Sequence, residues 1–304
     1  MPDLVYLDGK YLEKEKAMIP VMTHAFLYGT AVFEGMRAYY NENENQLYVF
    51  RPKEHFERLF QSAKIMYMDK CHSLNEHLEI LKNLLKKDGY KSDVYIRPII
   101  YKSADRIGPH LINNPDKYLV FAFPMKDYFI NEGLRVCVST WRRNSDNSIP
   151  PRAKINGAYV NASLISTEAR MNGYDEAIVL SQSGKVAEGA AMNLFLIING
   201  KLVTTTTTSE ILTGVTRNTI LQLAKEELGY EIEERIIDRS ELYSAEEAFF
   251  CGTGAQIVPI CSIDNRLVGK GNIGEKVKSL QKLYFDVVKG NIPKYKEWCM
   301  PVYD

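Results

Sequence analysis

Lys154 lies in IPPRAKINGAYVNASL (149–164), among small and apolar residues, with two prolines before it and a glycine after it. A charged lysine amine is a poor nucleophile. Withdrawn from water, its pKa falls and the neutral amine can form a Schiff base with an aldehyde. Most lysines are simply solvated, and this stretch alone does not separate the two cases. Glu188 stands in VAEGAAMNLF, a carboxylate within an apolar run. If buried, it needs a cationic partner such as a protonated ring nitrogen; at an edge or turn it would face water. LTGVTRNTI (212–220) sets Gly214 before Val215, Thr216 and a helical pattern. Such an N-terminus suits phosphate, although Thr216 could equally be a plain cap. CGTGAQ (251–256) follows a strand pattern with a glycine-flanked threonine, either an anion nest or an ordinary turn. Neither stretch carries a phosphate-loop or dinucleotide fingerprint. Arg58 adjoins the apolar stripe of Phe56, Leu59 and Ala63, from which a guanidinium reaches inward to a phosphate or outward to water. Tyr95 and Arg97 of YIRP are two apart in a strand and so share a face. That face suits a carboxylate, or the two side chains snorkel from a core strand.

The elements that must position these residues follow from periodicity and turn chemistry. LVYLDGKYL (4–12) reads as a hairpin about Asp8-Gly9. LYVF (47–50) reads as a strand, Pro52 as the first residue of a helix, and 74–88 as a second helix closed by Gly89. VYIRPIIY (94–101) and YLVFAFPM (118–125) read as buried strands. The spacing predicts a small N-terminal α/β domain over 1–124 and a linker over 125–133. A larger C-terminal α/β domain over 134–304 would carry Lys154. In it LRVCVSTW (134–141), EAIVL (176–180), KVAEGAAMNLFLII (185–198), KLVT (201–204) and EEAFFC (246–251) read as strands. Helices are expected at about 158–172, 216–228 and 273–289, with hairpin turns at Asn199-Gly200 and Asp264-Asn265.

Composition narrows the function classes. The chain has 304 residues, 45% hydrophobic and 25% charged, which is a globular balance. Lys+Arg and Asp+Glu both number 38, so no basic excess points to nucleic acid. Five cysteines without a C-x-x-C pair suggest reduced thiols in a cytoplasmic protein, and no histidine spacing suggests zinc. No leader pattern or membrane-length apolar run is read in the sequence.

Several blocks together resemble the branched-chain amino acid aminotransferases, fold-type IV pyridoxal phosphate enzymes. They are HAFLYGTAVFEGMRAY, RPKEHFERLFQSAKIM, YIRPIIY, the long run around Lys154, EGAAMNLF, LTGVTRNTILQLAKEELG and GTGAQIVPI, in order over nearly the whole chain. The resemblance implies a two-domain fold with pyridoxal 5'-phosphate in the cleft between domains. Lys154 matches the lysine that carries the cofactor covalently and acts as acid and base. Glu188 matches the partner of the ring nitrogen, and Tyr159 the tyrosine near the phenolic oxygen. Arg58, Val215, Thr216 and Thr253 match the phosphate cup, and Asn193 and Leu212 also align with cofactor-binding positions. Tyr95, with Thr253 and Gly254, resembles the α-carboxylate site, and Arg97 the acceptor of the glutamate side chain. Phe33, Tyr28, Tyr128 and Tyr159 resemble the aliphatic pocket walls, with Gly35 beside them. The implied reaction is ping-pong transamination between leucine, isoleucine or valine and 2-oxoglutarate. A homodimer or higher homo-oligomer is implied, with Tyr28 reaching a neighbouring subunit; no metal, nucleic acid or membrane is. KSADRIGPHLINNP (102–115) lacks the family's usual glycine-rich pattern, EGAAM replaces the commoner Gly-Glu pair, and Met125 stands where tryptophan is frequent. A D-amino-acid aminotransferase or aminodeoxychorismate lyase of the same fold is the alternative, though such relatives usually lack the YIRP strand. A non-catalytic scaffold binding a metabolite would be expected to lose the lysine or the glutamate, and both are present.

Overall fold

A computed structural model of the chain describes residues 3–125 and 133–304. Its first elements are β1 (Leu4–Leu7), β2 (Lys10–Glu13), α1 (His24–Tyr28), β3 (Ala31–Phe33), β4 (Met36–Asn41) and β5 (Gln46–Phe50). Then come α2 (Pro52–Ile65), α3 (Leu74–Asp88), β6 (Val94–Lys102), β7 (Asp116–Pro124), β8 (Leu134–Arg142) and α4 (Tyr159–Met171). β9 (Glu176–Leu180), β10 (Val186–Gly189), β11 (Asn193–Ile198), β12 (Lys201–Thr205), α5 (Val215–Glu226) and β13 (Ile232–Arg235) follow. The last are β14 (Glu247–Gly252), β15 (Gln256–Ile263), β16 (Arg266–Leu267), α6 (Glu275–Val288) and β17 (Cys299–Pro301).

Packing divides the chain into two units: Met1–Lys126 with Ala153–Gly157 and Asp286–Asp304, and Asp127–Arg152 with Ala158–Phe285. The expected linker lies mostly outside the described residues. Two segments expected in the C-terminal domain group instead with the first unit. For the segment holding Lys154 the cause is backbone pairing. Phe33 N donates to Lys154 O at 3.0 Å, Asn156 N to Ala31 O at 2.9 Å and Gly157 N to Gly29 O at 3.1 Å. Gly29 makes the approach possible. Its φ is 68°, and a Cβ there would stand 2.8 Å from Gly157 Cα, so only a residue without one fits.

The first unit holds one antiparallel sheet in the order β17-β5-β4-β6-β7-β1-β2, with β3 paired to β6. Asp8 and Gly9 take φ of 48° and 94°, as a tight hairpin with two left-handed residues requires. α2 begins at Pro52, whose missing N–H costs nothing in a first turn, and buries Phe56, Leu59 and Ala63. α3 opens with a Ser73–Glu76 capping box and closes at left-handed Gly89.

The second unit holds a nine-stranded sheet, β10-β9-β8-β15-β14-β11-β12-β13, with β16 paired to β15. β8 and β9 run parallel, as do β15 and β8, and β12 and β13. α4 and α5 make the crossovers of the first and last of these pairs, as parallel neighbours demand. The run 185–198, expected as one strand, is two. Gly189 N donates back to Met192 O at 2.7 Å, so β10 pairs with β9 while β11 pairs with β12 and β14. The sheet curls until its ends meet: Thr205 Oγ1 donates to Ala187 O and Val186 N to Ile237 O, both at 2.9 Å. Leu194, Leu196, Phe250, Val258 and Ile260 pack within its core. Among the described residues no helix is long and apolar enough to cross a membrane.

Candidate active site

Within the first unit, strand β6 delivers Tyr95 and Arg97 to one face, as their spacing of two requires. Arg97 Nη2 donates to the Tyr95 hydroxyl at 2.9 Å. Gly35 keeps that hydroxyl close, because a Cβ there would overlap it. The Phe33 ring then joins two cations: Arg97 lies 4.3 Å and Lys154 Nζ 4.9 Å from its centroid, both within reach of the ring's negative face. The lysine amine is thus set on an aromatic face beside a phenol and a guanidinium. Lys154 itself is half-buried, and its backbone N–H is anchored by Ser62 Oγ at 3.0 Å.

Arg58 turns inward from α2, but to a carboxylate of its own unit. Its Nε and Nη2 donate to Glu34 at 2.7 and 2.8 Å. His55 Nδ1 donates to the same carboxylate at 2.7 Å. Burial alone would raise the Glu34 carboxyl, but the Arg58 charge and the bonds from His55 and Arg58 outweigh it and hold Glu34 below the usual carboxylate range. Burial lowers His55, against the opposing effect of the Glu34 bond. Tyr28 goes elsewhere: its hydroxyl accepts from Gly108 N at 2.9 Å and its ring tilts against His24 at 4.7 Å. Tyr128 lies outside the described residues.

Within the second unit, Glu188 is 2% exposed although β10 is an edge strand, so the water-facing alternative fails. Its Oε1 meets Arg143 Nη2 at 2.8 Å, and its Oε2 accepts from Asn193 Nδ2 at 3.0 Å. Asn193 Nδ2 also donates to Leu212 O at 2.9 Å, tying the carboxylate to the loop that enters α5. Gly214 is the N-cap of α5 and has no side-chain cap; a Cβ on it would overlap Asn193 Oδ1. Val215 and Thr216 are buried in the first turn, so Thr216 is not the plain cap that its position allowed. The first N–H groups of that turn have no side-chain cap and lie at the positive end of the helix dipole. Thr253 and Gly254 form the turn between β14 and β15, just past Cys251, the register partner of Asn193. Tyr159 is the half-buried first residue of α4.

Sequence reading missed Glu34, His55, Ser62 and Arg143. Two signals were present. FEG repeats the pattern of AEG at Glu188, a carboxylate after an apolar residue and before glycine. Residues 55, 58 and 62 recur at helical spacing, which places them on one face of α2. Arg143 had no comparable signal, since its partner is 45 positions away in sequence and reached only through the sheet.

The first unit thus holds a half-buried lysine against an aromatic ring, and the second a buried carboxylate held by an arginine and an amide. The chain belongs to the amino-transferase class IV family, whose model matches residues 31–263. It is 48% identical over 303 residues to the probable branched-chain-amino-acid aminotransferase of Aquifex aeolicus, covering 99% of this chain and 97% of that one. Its fold superposes on the branched-chain amino acid aminotransferase of Thermobaculum terrenum in its PLP form, with a TM-score of 0.95 and 36% identity, covering 100% and 99% of the two chains. It likewise matches the branched-chain aminotransferase of the thermophilic archaeon Thermoproteus uzoniensis with norvaline, with a TM-score of 0.95, 39% identity and 100% coverage of each chain.

Proposed function

We propose that this chain is a pyridoxal phosphate-dependent transaminase of branched-chain L-amino acids, with 2-oxoglutarate as amino acceptor. The observation that carries the reading is the Lys154 amine stacked on Phe33 beside Arg97 and Tyr95. An amine nucleophile set against two carboxylate-binding groups suits a substrate that is both amine and acid. Family membership argues against the scaffold alternative, and the full-length likeness to branched-chain enzymes disfavours the D-amino-acid and lyase alternatives.

The donor set fits the cofactor group by group. Lys154 would bind the aldehyde, Glu188 the ring nitrogen, and Tyr159 the phenolic side. Arg58, Val215, Thr216 and Thr253 would hold the phosphate, with Asn193 and Leu212 steadying Glu188. When bound, pyridoxal phosphate supplies an electron sink for cleavage of the substrate Cα–H bond. Lys154 Nζ takes the proton at Cα and later releases it, as general base and acid. Glu188, itself held by Arg143 and Asn193, would keep the ring-nitrogen proton in place. Tyr95 with the Thr253 and Gly254 amides would orient the α-carboxylate, and Arg97 the side-chain carboxylate of glutamate. Phe33, Tyr28, Tyr128 and Gly35 would shape the aliphatic pocket.

Two further readings belong to the molecule in its setting. A homodimer or larger assembly, with Tyr28 reaching the neighbouring subunit, is supported by Met18, Val21, Phe26 and Ile107, which are 77%, 75%, 76% and 73% exposed. Apolar side chains left in water in such numbers mark an interaction surface. A cytoplasmic location is supported by five free cysteines, as reducing compartments keep thiols unpaired.

The test is an absorbance spectrum of pure protein, taken alone, after L-leucine, and after 2-oxoglutarate. The cofactor band should fade with leucine and return with the keto acid, and Lys154→Ala should abolish the cycle. A band indifferent to leucine would sink the branched-chain assignment.

A further inference from the structure

One face of α2 sends three polar side chains toward the Lys154 segment and its neighbours. Ser62 takes the Lys154 backbone N–H, while His55 and Arg58 both go to Glu34. Glu34 is 0% exposed and directly follows Phe33, whose own N–H is held by Lys154 O. The carboxylate therefore directly follows the strand that pairs with the lysine segment, and grips the arginine read above as a phosphate ligand.

We propose that Glu34 and His55 are positioning residues that clamp the Arg58 guanidinium in the plane and direction needed to receive the cofactor phosphate. This rests on the phosphate role given to Arg58 above. A long arginine side chain loses rotamer freedom whenever it binds, and pre-ordering it removes that cost from the binding step. Two parallel bonds to one carboxylate fix the guanidinium plane, which a single bond or a lysine could not do. His55 fixes the carboxylate in turn, since its Nδ1 donates to Glu34 Oε2, the oxygen that also accepts from Arg58 Nη2.

Electrostatics sharpens the point. A carboxylate beside Arg58 cancels much of the positive charge that would draw a phosphate. If attraction were all that mattered, Glu34 would weaken binding. Its value must then lie in geometry, together with the expense of leaving a guanidinium largely buried and unpaired. A purely structural ion pair would stabilise the fold without caring whether the cofactor carries a phosphate. A positioning clamp acts on the phosphate specifically, and that difference can be measured.

The experiment compares dissociation constants of pyridoxal 5'-phosphate and of phosphate-free pyridoxal for the full chain stripped of cofactor, in parent and variants. The parent should prefer the phosphorylated form. Glu34→Gln removes the charge and one of the two parallel bonds, and should cut that preference by about tenfold to a hundredfold, the loss expected for a bond to a charged group. Affinity for pyridoxal itself should change little. Glu34→Asp keeps the charge but withdraws it by one methylene, and should also lower the preference; it decides the matter if Glu34→Gln does not fold. A parent that fails to discriminate would remove the phosphate role of Arg58, and the clamp with it. A parent that discriminates, with variants that discriminate equally well, would overturn the clamp alone. A variant that weakens both ligands in proportion would reduce Glu34 to a structural pair.

Discussion

Asp88 shows how burial at a single position sets a pH response. It is the last residue of α3, 2% exposed, and its Oδ1 accepts from Leu4 N at 3.1 Å. Burial pushes its carboxyl up to about 6, against the smaller lowering effect of the Leu4 bond. The negative end of the helix dipole also disfavours its charge. The folded value lies above the unfolded one of 3.8. The protonated form therefore contributes stability that is complete below the unfolded value and is lost as pH rises through about 6. Asp88→Asn stays neutral and can still accept the Leu4 bond. It should be more stable than the parent by roughly 1–3 kcal/mol at pH 8, with the gap closing toward pH 4. Urea unfolding at both pH values measures it, and an equal gap at both would defeat the assignment.

α2 is the element on which the lysine side of the site most depends. Ser62 is fully buried, and its hydroxyl is the acceptor for the Lys154 N–H. Ser62→Ala leaves that donor without this partner, at a cost of about 1–3 kcal/mol. Melting temperature should fall, and kcat should fall with it, because the lysine backbone loses an anchor. A variant that melts lower with unchanged kcat would confine Ser62 to stability. The amphipathic face of α2 was legible in sequence, since Phe56, Leu59 and Ala63 recur at helical spacing, and so was its start at Pro52. Tyr95 and Arg97 were legible for the same kind of reason: strand alternation fixes which side chains share a face. The strand break at 190–192 was not, because Ala190, Ala191 and Met192 read as a continuation of an apolar run. Nor was the placement of 153–157, which depends on pairing with 29–33, more than 120 positions away. Long-range register is decided by the assembled sheet, not by any local pattern.

For the molecule as a whole, the segments around residues 18–28 and 105–108 form one surface. Thr23 bridges Asp105, and His24 Nε2 donates to Gly108 O at 2.9 Å. Val21, Phe26 and Ile107 lie exposed on these linked segments, and the proposed contact with a second copy would cover them. On the homo-oligomer proposed above, Phe26→Asp with Ile107→Asp should yield monomers in sedimentation velocity. It should also lower kcat/KM if Tyr28 serves a neighbouring subunit as proposed. A monomeric parent would end the oligomer reading.

The order of strands in the first sheet adds a constraint of another kind. β17, made from Cys299–Pro301, pairs with β5 at the border of that sheet, and Val302 N donates to Leu47 O at 3.0 Å. A ribosome makes β17 after every other strand of its sheet, and after all the strands of the second unit. The unit that is translated first thus waits through the synthesis of the other before its border is covered. Should the rest of the sheet form during that interval, β5 would be an open edge. The timetable of synthesis, and not only the composition of the chain, decides how long the nascent protein stays exposed.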